Sequence, residues 1–166
     1  MASGVRTVDK LKIVPAFFAA VPSAASPTYV SMKGYNNLTI VLHWKNGSTS
    51  AAGSAITVNQ AKYVNGNGAK AVAIDYAWVS NDTANSVALT QLTVSSNTFT
   101  LDNTASGIGL GLVEIRADRM DLANGFTALE VGLANATNQT VEAIYIMGNV
   151  PRYSGGMNSF MNPLVD

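Results

Sequence analysis

Apolar and polar residues alternate with a period of two in one short segment after another, at intervals of about ten to fifteen residues, and no long segment repeats at the helical period. Successive side chains of a strand point to opposite faces, so this pattern ties the chain to an all-β fold whose sheets each bury one face. The clearest case is Leu38–Trp44, where Leu38, Ile40, Leu42 and Trp44 share one face and Thr39, Val41 and His43 take the other. Further strand signals lie at Ala55–Gln60, Ala71–Val79, Val87–Val94, Thr98–Leu101, Leu110–Ile115, Thr127–Leu133 and Val141–Met147. About eight strands in one chain of this length predict an antiparallel β-sandwich or jelly roll. Its core is expected on Leu38, Ile40, Leu42, Val72, Ile74, Ile144 and Ile146. Trp44 and Trp78, each in phase with the apolar side of its strand, are expected to join that core.

Between the strands stand turn formers. Asn46-Gly47 is a dipeptide that accepts positive φ in a tight turn, and Asn65–Gly68 and Asn81-Asp82 break the chain again. Ser95–Asn97 is placed to join Val87–Val94 and Thr98–Leu101 as a hairpin, and Asp118–Asn124 is placed to form one helical turn stopped by Gly125. The pattern covers residues 13–153 as one sandwich domain. Residues 1–12 form an N-terminal arm with little pattern, and residues 154–166 form a C-terminal arm.

Composition narrows the class of function. Only 12% of the 166 residues are charged, against about a quarter in ordinary soluble domains. Asn, Ser, Thr and Gly, at 16, 14, 14 and 14 residues, take the place of the charges. Ten basic and ten acidic residues cancel. A surface of uncharged polar groups with no net charge repels its neighbours weakly and favours association. Such a balance leaves no basic patch for nucleic acid. The apolar run Ile13–Val21 resembles a secretory signal, but Asp9 sits in its flank and Pro15 interrupts it. It is also too short to span a bilayer, which takes about 20 apolar residues. No membrane partner is therefore expected. Scaling of surface with chain length gives roughly 69% of the surface buried on folding, enough for a core without staples. There is no cysteine, so the fold holds by packing and hydrogen bonds alone.

The residues offer little to chemistry. His43 is the only histidine and lies within a strand, so a Ser-His-Asp site or a metal site built on two imidazoles has no material. Asp75, Asp82 and Asp102 lack the spacing of a calcium loop. Gly107-Ile-Gly-Leu-Gly111 lacks the Lys and Ser/Thr of a phosphate loop and continues as a strand, so it is read as a flexible turn or bulge. Glu114, Glu130 and Glu142 stand at positions fit for a solvated face rather than for paired catalytic carboxylates. Five N-x-S/T sequons, at Asn37, Asn46, Asn81, Asn135 and Asn138, are expected by composition alone. The chain is read as a non-enzyme with no catalytic residue, cofactor or metal.

Two features point to partners. After Gly155-Gly156 the tail carries Met157, Phe160, Met161, Leu164 and Val165, apolar anchors with neither strand alternation nor a helical stripe, which reads as an arm that docks on a neighbour, the alternative being that it folds back on its own domain. Glu114–Asp121 is the one charge-dense stretch. Its Arg116 and Arg119 either close a local salt-bridge cluster or reach a partner's carboxylate.

Several segments carry a family likeness. Val14-Pro15, Tyr29–Leu42, Ile56–Lys62 with Gly68–Val72, Asp118–Phe126, and Val141–Met147 with Arg152-Tyr153 resemble blocks of small structural proteins in tailed-bacteriophage virions. Among these the chain most resembles capsid decoration (cement) proteins. The resemblance implies a homo-oligomer, dimer or trimer, made in the host cytoplasm and seated on the outside of the capsid, with the major capsid protein as partner. Another virion role (head–tail joining, tail or fibre) and a carbohydrate-binding sandwich with aromatic platforms are the alternatives.

Overall fold

In the computed structural model, the described residues are 11–20, 28–49, 52–81, 88–94, 96–134 and 138–148. The C-terminal arm, with Met157, Phe160, Met161, Leu164 and Val165, lies outside them, as do residues 1–10. The described residues contain eleven strands: β1 (Leu11–Ala20), β2 (Val30–Ser31), β3 (Asn37–Asn46), β4 (Ala55–Ala61), β5 (Lys70–Ala71), β6 (Tyr76–Ser80), β7 (Thr90–Leu92), β8 (Thr98–Thr100), β9 (Ile108–Arg116), β10 (Ala128–Ala134) and β11 (Gln139–Gly148). The chain is all-β, with two antiparallel sheets. One runs β1-β11-β3-β9-β6-β7; the other runs β2-β10-β4-β5, with β8 sharing the edge of β4. A single buried cluster draws on Leu38, Ile40, Leu42 and Trp44 of the first sheet and Ile56, Val58, Leu129 and Val131 of the second.

The longest strands follow their alternation. In β3 the predicted inward set Leu38, Ile40, Leu42 and Trp44 is buried, and Val72 and Ile74 are buried as expected. Strand β11 departs from expectation. Val141, Ala143, Tyr145 and Met147 face inward, while Ile144 is 41% exposed and Ile146 is half-buried on the opposite face. Both sets are apolar, and the deciding group is the phenol of Tyr145. It donates to the Thr28 carbonyl at 2.9 Å and accepts from the Val131 backbone N–H at 2.9 Å. Strand β2 pairs only with Ala128 and Leu129 of β10, so Tyr145 reaches from one sheet to satisfy a backbone donor of the other.

Three other expectations are corrected. Strand β1 begins at Leu11, inside the predicted N-terminal arm. Its alternation is hidden because Ala16 and Phe17 are both buried at a register shift between Pro15 and Phe17. The predicted strand Ala71–Val79 is split. Lys70–Ala71 pairs with β4, and residues 72–75 then cross to the other sheet, where Tyr76–Ser80 pairs with β9. The predicted hairpin across Ser95–Asn97 does not form, because β7 pairs with β6 and β8 with β4, in different sheets. Ser96 takes a positive φ of 61°, and the Asn97 side chain donates to the Val58 carbonyl at 3.0 Å, which ties the link to β4. The predicted helical turn appears as two 3-10 turns, Ala117–Arg119 and Leu122–Asn124, the second closed by Gly125 at φ 81°.

Gly107–Gly111 is neither a flexible turn nor a bulge beyond its first residue. Gly109 and Gly111 face the core within β9, and Gly109 stands opposite Trp44. A Cβ at Gly109 would lie 2.0 Å from the Trp44 ring. The glycine makes the slot in which the indole lies. Asn46 likewise ends β3 and is buried, so it is neither a turn residue nor an accessible sequon. Its amide donates to the carbonyls of Thr104 (2.7 Å) and Asp102 (3.3 Å), and its oxygen accepts from Gln139 at 2.7 Å. Gln139 in turn accepts from Ser54 N–H at 2.8 Å, so the two buried amides join both sheets and the 102–104 loop.

Overpacking a rigid ring has few escapes. Gly109→Ala is expected to lower unfolding free energy by about 1–3 kcal/mol or more. Gly111→Ala, whose Cβ would sit 3.4 Å from Leu42 and Trp44, is expected to cost clearly less. Urea unfolding of the two variants checks the order.

Burial pushes the Tyr145 phenol above its usual value near 10, and burial with a hydrogen bond to Glu130 does the same to Tyr29. Both stay neutral in the fold while an unfolded chain ionises them. Their contribution to stability is therefore complete below pH about 10 and lost as pH rises above it. Urea midpoints measured from pH 8 to 11 should fall at the alkaline end, and Tyr145→Phe should flatten that fall from a lower baseline.

Candidate functional site

The charge-dense stretch closes on itself. Asp75, at the bend before β6, has a side chain only 2% exposed and accepts from the Arg116 backbone N–H at 2.9 Å and from Arg119 Nε. Arg116 Nε lies 3.8 Å from Asp75 and 3.5 Å from Asp118. The bond to Asp75 raises the Arg119 pKa above its usual value. Of the two readings for Arg116 and Arg119, the described residues display the local cluster: both guanidinium groups face carboxylates of their own chain. Each keeps about half its side chain exposed.

His43 lies on the outer face of β3, 52% exposed, with Nδ1 3.7 Å from Glu142 of β11. No group of three or more His, Asp or Glu side chains fit to hold a metal occurs among the described residues. No helix among them is long and apolar enough to cross a membrane.

The most extensive feature is the outer face of the six-stranded sheet. The register sets Pro15, Ile144, Val41, Leu112 and Trp78 side by side across β1, β11, β3, β9 and β6. Beside this row runs a second, Ile13, Ile146, Thr39, Glu114 and Tyr76, and on its other side lies the His43–Glu142 pair. Ile13 is 56% exposed and Tyr76 48%. Trp78 is not in the core as expected. Ala77 and Val79 take the buried positions of β6, and Trp78 stacks on Tyr76 outside, ring centroids 5.3 Å apart at 27°.

Sequence reasoning missed this face because it assigned one apolar set per strand. The signal was present in strands with two: Val41 opposite Leu42, Leu112 opposite Val113, Ile144 beside Tyr145.

Compared with known proteins, the chain matches no family model, no curated protein and no solved structure.

Removing the Asp75 carboxylate leaves the Arg116 N–H without its acceptor. Asp75→Ala is expected to destabilise by about 1–3 kcal/mol, and Arg119→Ala, a change at an exposed group, by clearly less. Thermal or urea unfolding of both variants checks this; equal losses would contradict it.

Proposed function

We propose that the chain is a non-enzymatic structural protein of a tailed-bacteriophage virion, a decoration protein that binds the outside of the capsid and stabilises the shell. In this reading the two sheets form a β-sandwich of jelly-roll type, the protein is a homo-oligomer, and the C-terminal arm reaches a neighbour. The observation that carries the reading is the apolar row that crosses five strands on the outer face of the six-stranded sheet. A surface of this kind fits contact with another protein, and the scarcity of charge leaves little repulsion to oppose it. The resemblance of segments such as Tyr29–Leu42 and Asp118–Phe126 to virion structural proteins points the same way.

A second reading, a carbohydrate-binding module, has one observation in its favour: the stacked Tyr76–Trp78 pair at the surface. Aromatic faces of this kind suit sugar rings. A saturable change in tryptophan fluorescence with a glycan, lost in Tyr76→Ala, would support it over the first.

The main reading is tested on intact particles of the phage whose genome encodes the chain. Gold-labelled antibody to the purified protein is expected to decorate the heads. Label confined to tails would move the protein to another virion role, and no label on washed particles would overturn the virion reading. His43→Ala is expected to leave both fold and attachment unchanged; a hydrolytic activity abolished by that substitution would overturn the non-enzymatic part.

A further inference from the structure

We infer that the outer face of the six-stranded sheet is the seat of the C-terminal arm, residues 157–166, of a second copy of this chain. The inference rests on the reading of that tail as an intermolecular arm and gives it a receptor.

The central row of this face is apolar where a solvated sheet face is normally polar. Ile144, Val41 and Leu112 sit on three adjacent strands, with Pro15 and Trp78 continuing the row to either side. Adjacent strands lie about 4.8 Å apart, so the row from Ile144 to Trp78 runs roughly 14 Å, within the span of a short peptide. Charge on the face falls at Glu114 and Arg116 to one side of the row and at His43, Glu142 and Lys45 to the other, flanking the row rather than interrupting it.

The sequence supplies an occupant of matching character. The described chain ends at Gly148 of β11 and continues to Asp166. From Tyr153 to Val165 it carries no charge, and it presents Met157, Phe160, Met161, Leu164 and Val165. Residues 157–165 meet an uncharged apolar row without burying an unpaired charge, which would be costly. Gly155-Gly156 separates this segment from the domain in sequence. The segment between Gly148 and Met157 reaches at most about 30 Å when extended, enough to cross to an adjoining copy.

Count favours a second copy of this chain over an unrelated partner. Every copy carries one face and one arm, so exchange between copies covers each face and uses each arm, and a closed pair or ring leaves none over. Several arms acting together also gain from effective concentration what one short segment lacks.

The test uses full-length chains and sedimentation velocity over a range of concentrations. The wild type is expected to self-associate. A tail variant, Phe160→Asp with Leu164→Asp, and a face variant, Ile144→Lys, are each expected to weaken self-association at least tenfold while keeping the wild-type circular dichroism. Ile144 is already 41% exposed, which suits it to a charge; Leu112→Lys on the same row is the second face variant. Mixing the tail variant with a face variant pairs one intact face with one intact arm, and is expected to restore a heterodimer.

A wild type that is monomeric throughout would overturn the inference, with the arm then folded on its own sheet or reserved for another protein. Self-association that survives the tail substitutions would overturn it in favour of direct face-to-face pairing. A mixture that fails to associate would overturn it as well. Head labelling of particles is scored separately, so the decoration reading stands or falls independently of this result.

Discussion

The seating of Trp44 over Gly109 sets the phase of the six-stranded sheet. The indole is fully buried, and only a residue without a Cβ fits opposite it in β9. Because side chains alternate, a slip of one residue between β3 and β9 would turn every inward group outward. It would also drive the indole against Ile108 or Leu110 in place of glycine. The register that puts Trp44 on Gly109 is the same register that puts Val41 beside Leu112 on the outside. The interior constraint and the exterior apolar row are therefore one arrangement seen from two faces.

Hydrogen bonds fix what the indole does not. Asn46 and Gln139 face each other across β3 and β11, and together they hold Ser54, Asp102 and Thr104. Buried amides left unpaired would cost free energy, so they favour the one pairing that satisfies them. Tyr145 does the same farther along β11, with its hydroxyl joined to Thr28 and Val131. In a chain without cysteine these polar ties, placed among apolar neighbours, link the two sheets in a way that hydrophobic burial alone does not specify.

How far the sequence could be read follows from these interactions. Strands with one apolar set, such as β3 on its inner side and β4 with Ile56 and Val58, were legible in position and phase. Strand β11 was legible in position but not in phase, because Ile144 and Ile146 are more apolar than Ala143 and Tyr145, and a phenol's two hydrogen bonds outweighed that preference. Strand β6 misled in the same way: tryptophan is large and apolar, yet the small Ala77 fits the interior. The split of 71–79 and the failure of the 95–97 hairpin came from chain crossings between sheets, decided by long-range pairing with β4 and β9. No local pattern reports those. The charge cluster at Arg116 and Arg119 was legible as a cluster, but its partner Asp75 lies some forty residues away in sequence and becomes visible only in the fold.

The same accounting bears on function. Among the described residues the charged groups are spread over separate local contacts. Asp75 is spent on holding Arg116 and Arg119, Asp121 on Lys70 and Asn124, and Glu142 lies beside a half-exposed His43. Each of these groups is engaged in local structure. What the outer side of the sheet leaves free of charge is the apolar Ile144–Val41–Leu112–Trp78 row, with Ile13 and Tyr76 at its side. Under the proposed function, such a row favours exclusion of water against another surface. In the proposed reading, the row of side chains that the Trp44–Gly109 register turns outward is where contact with a partner has most to gain.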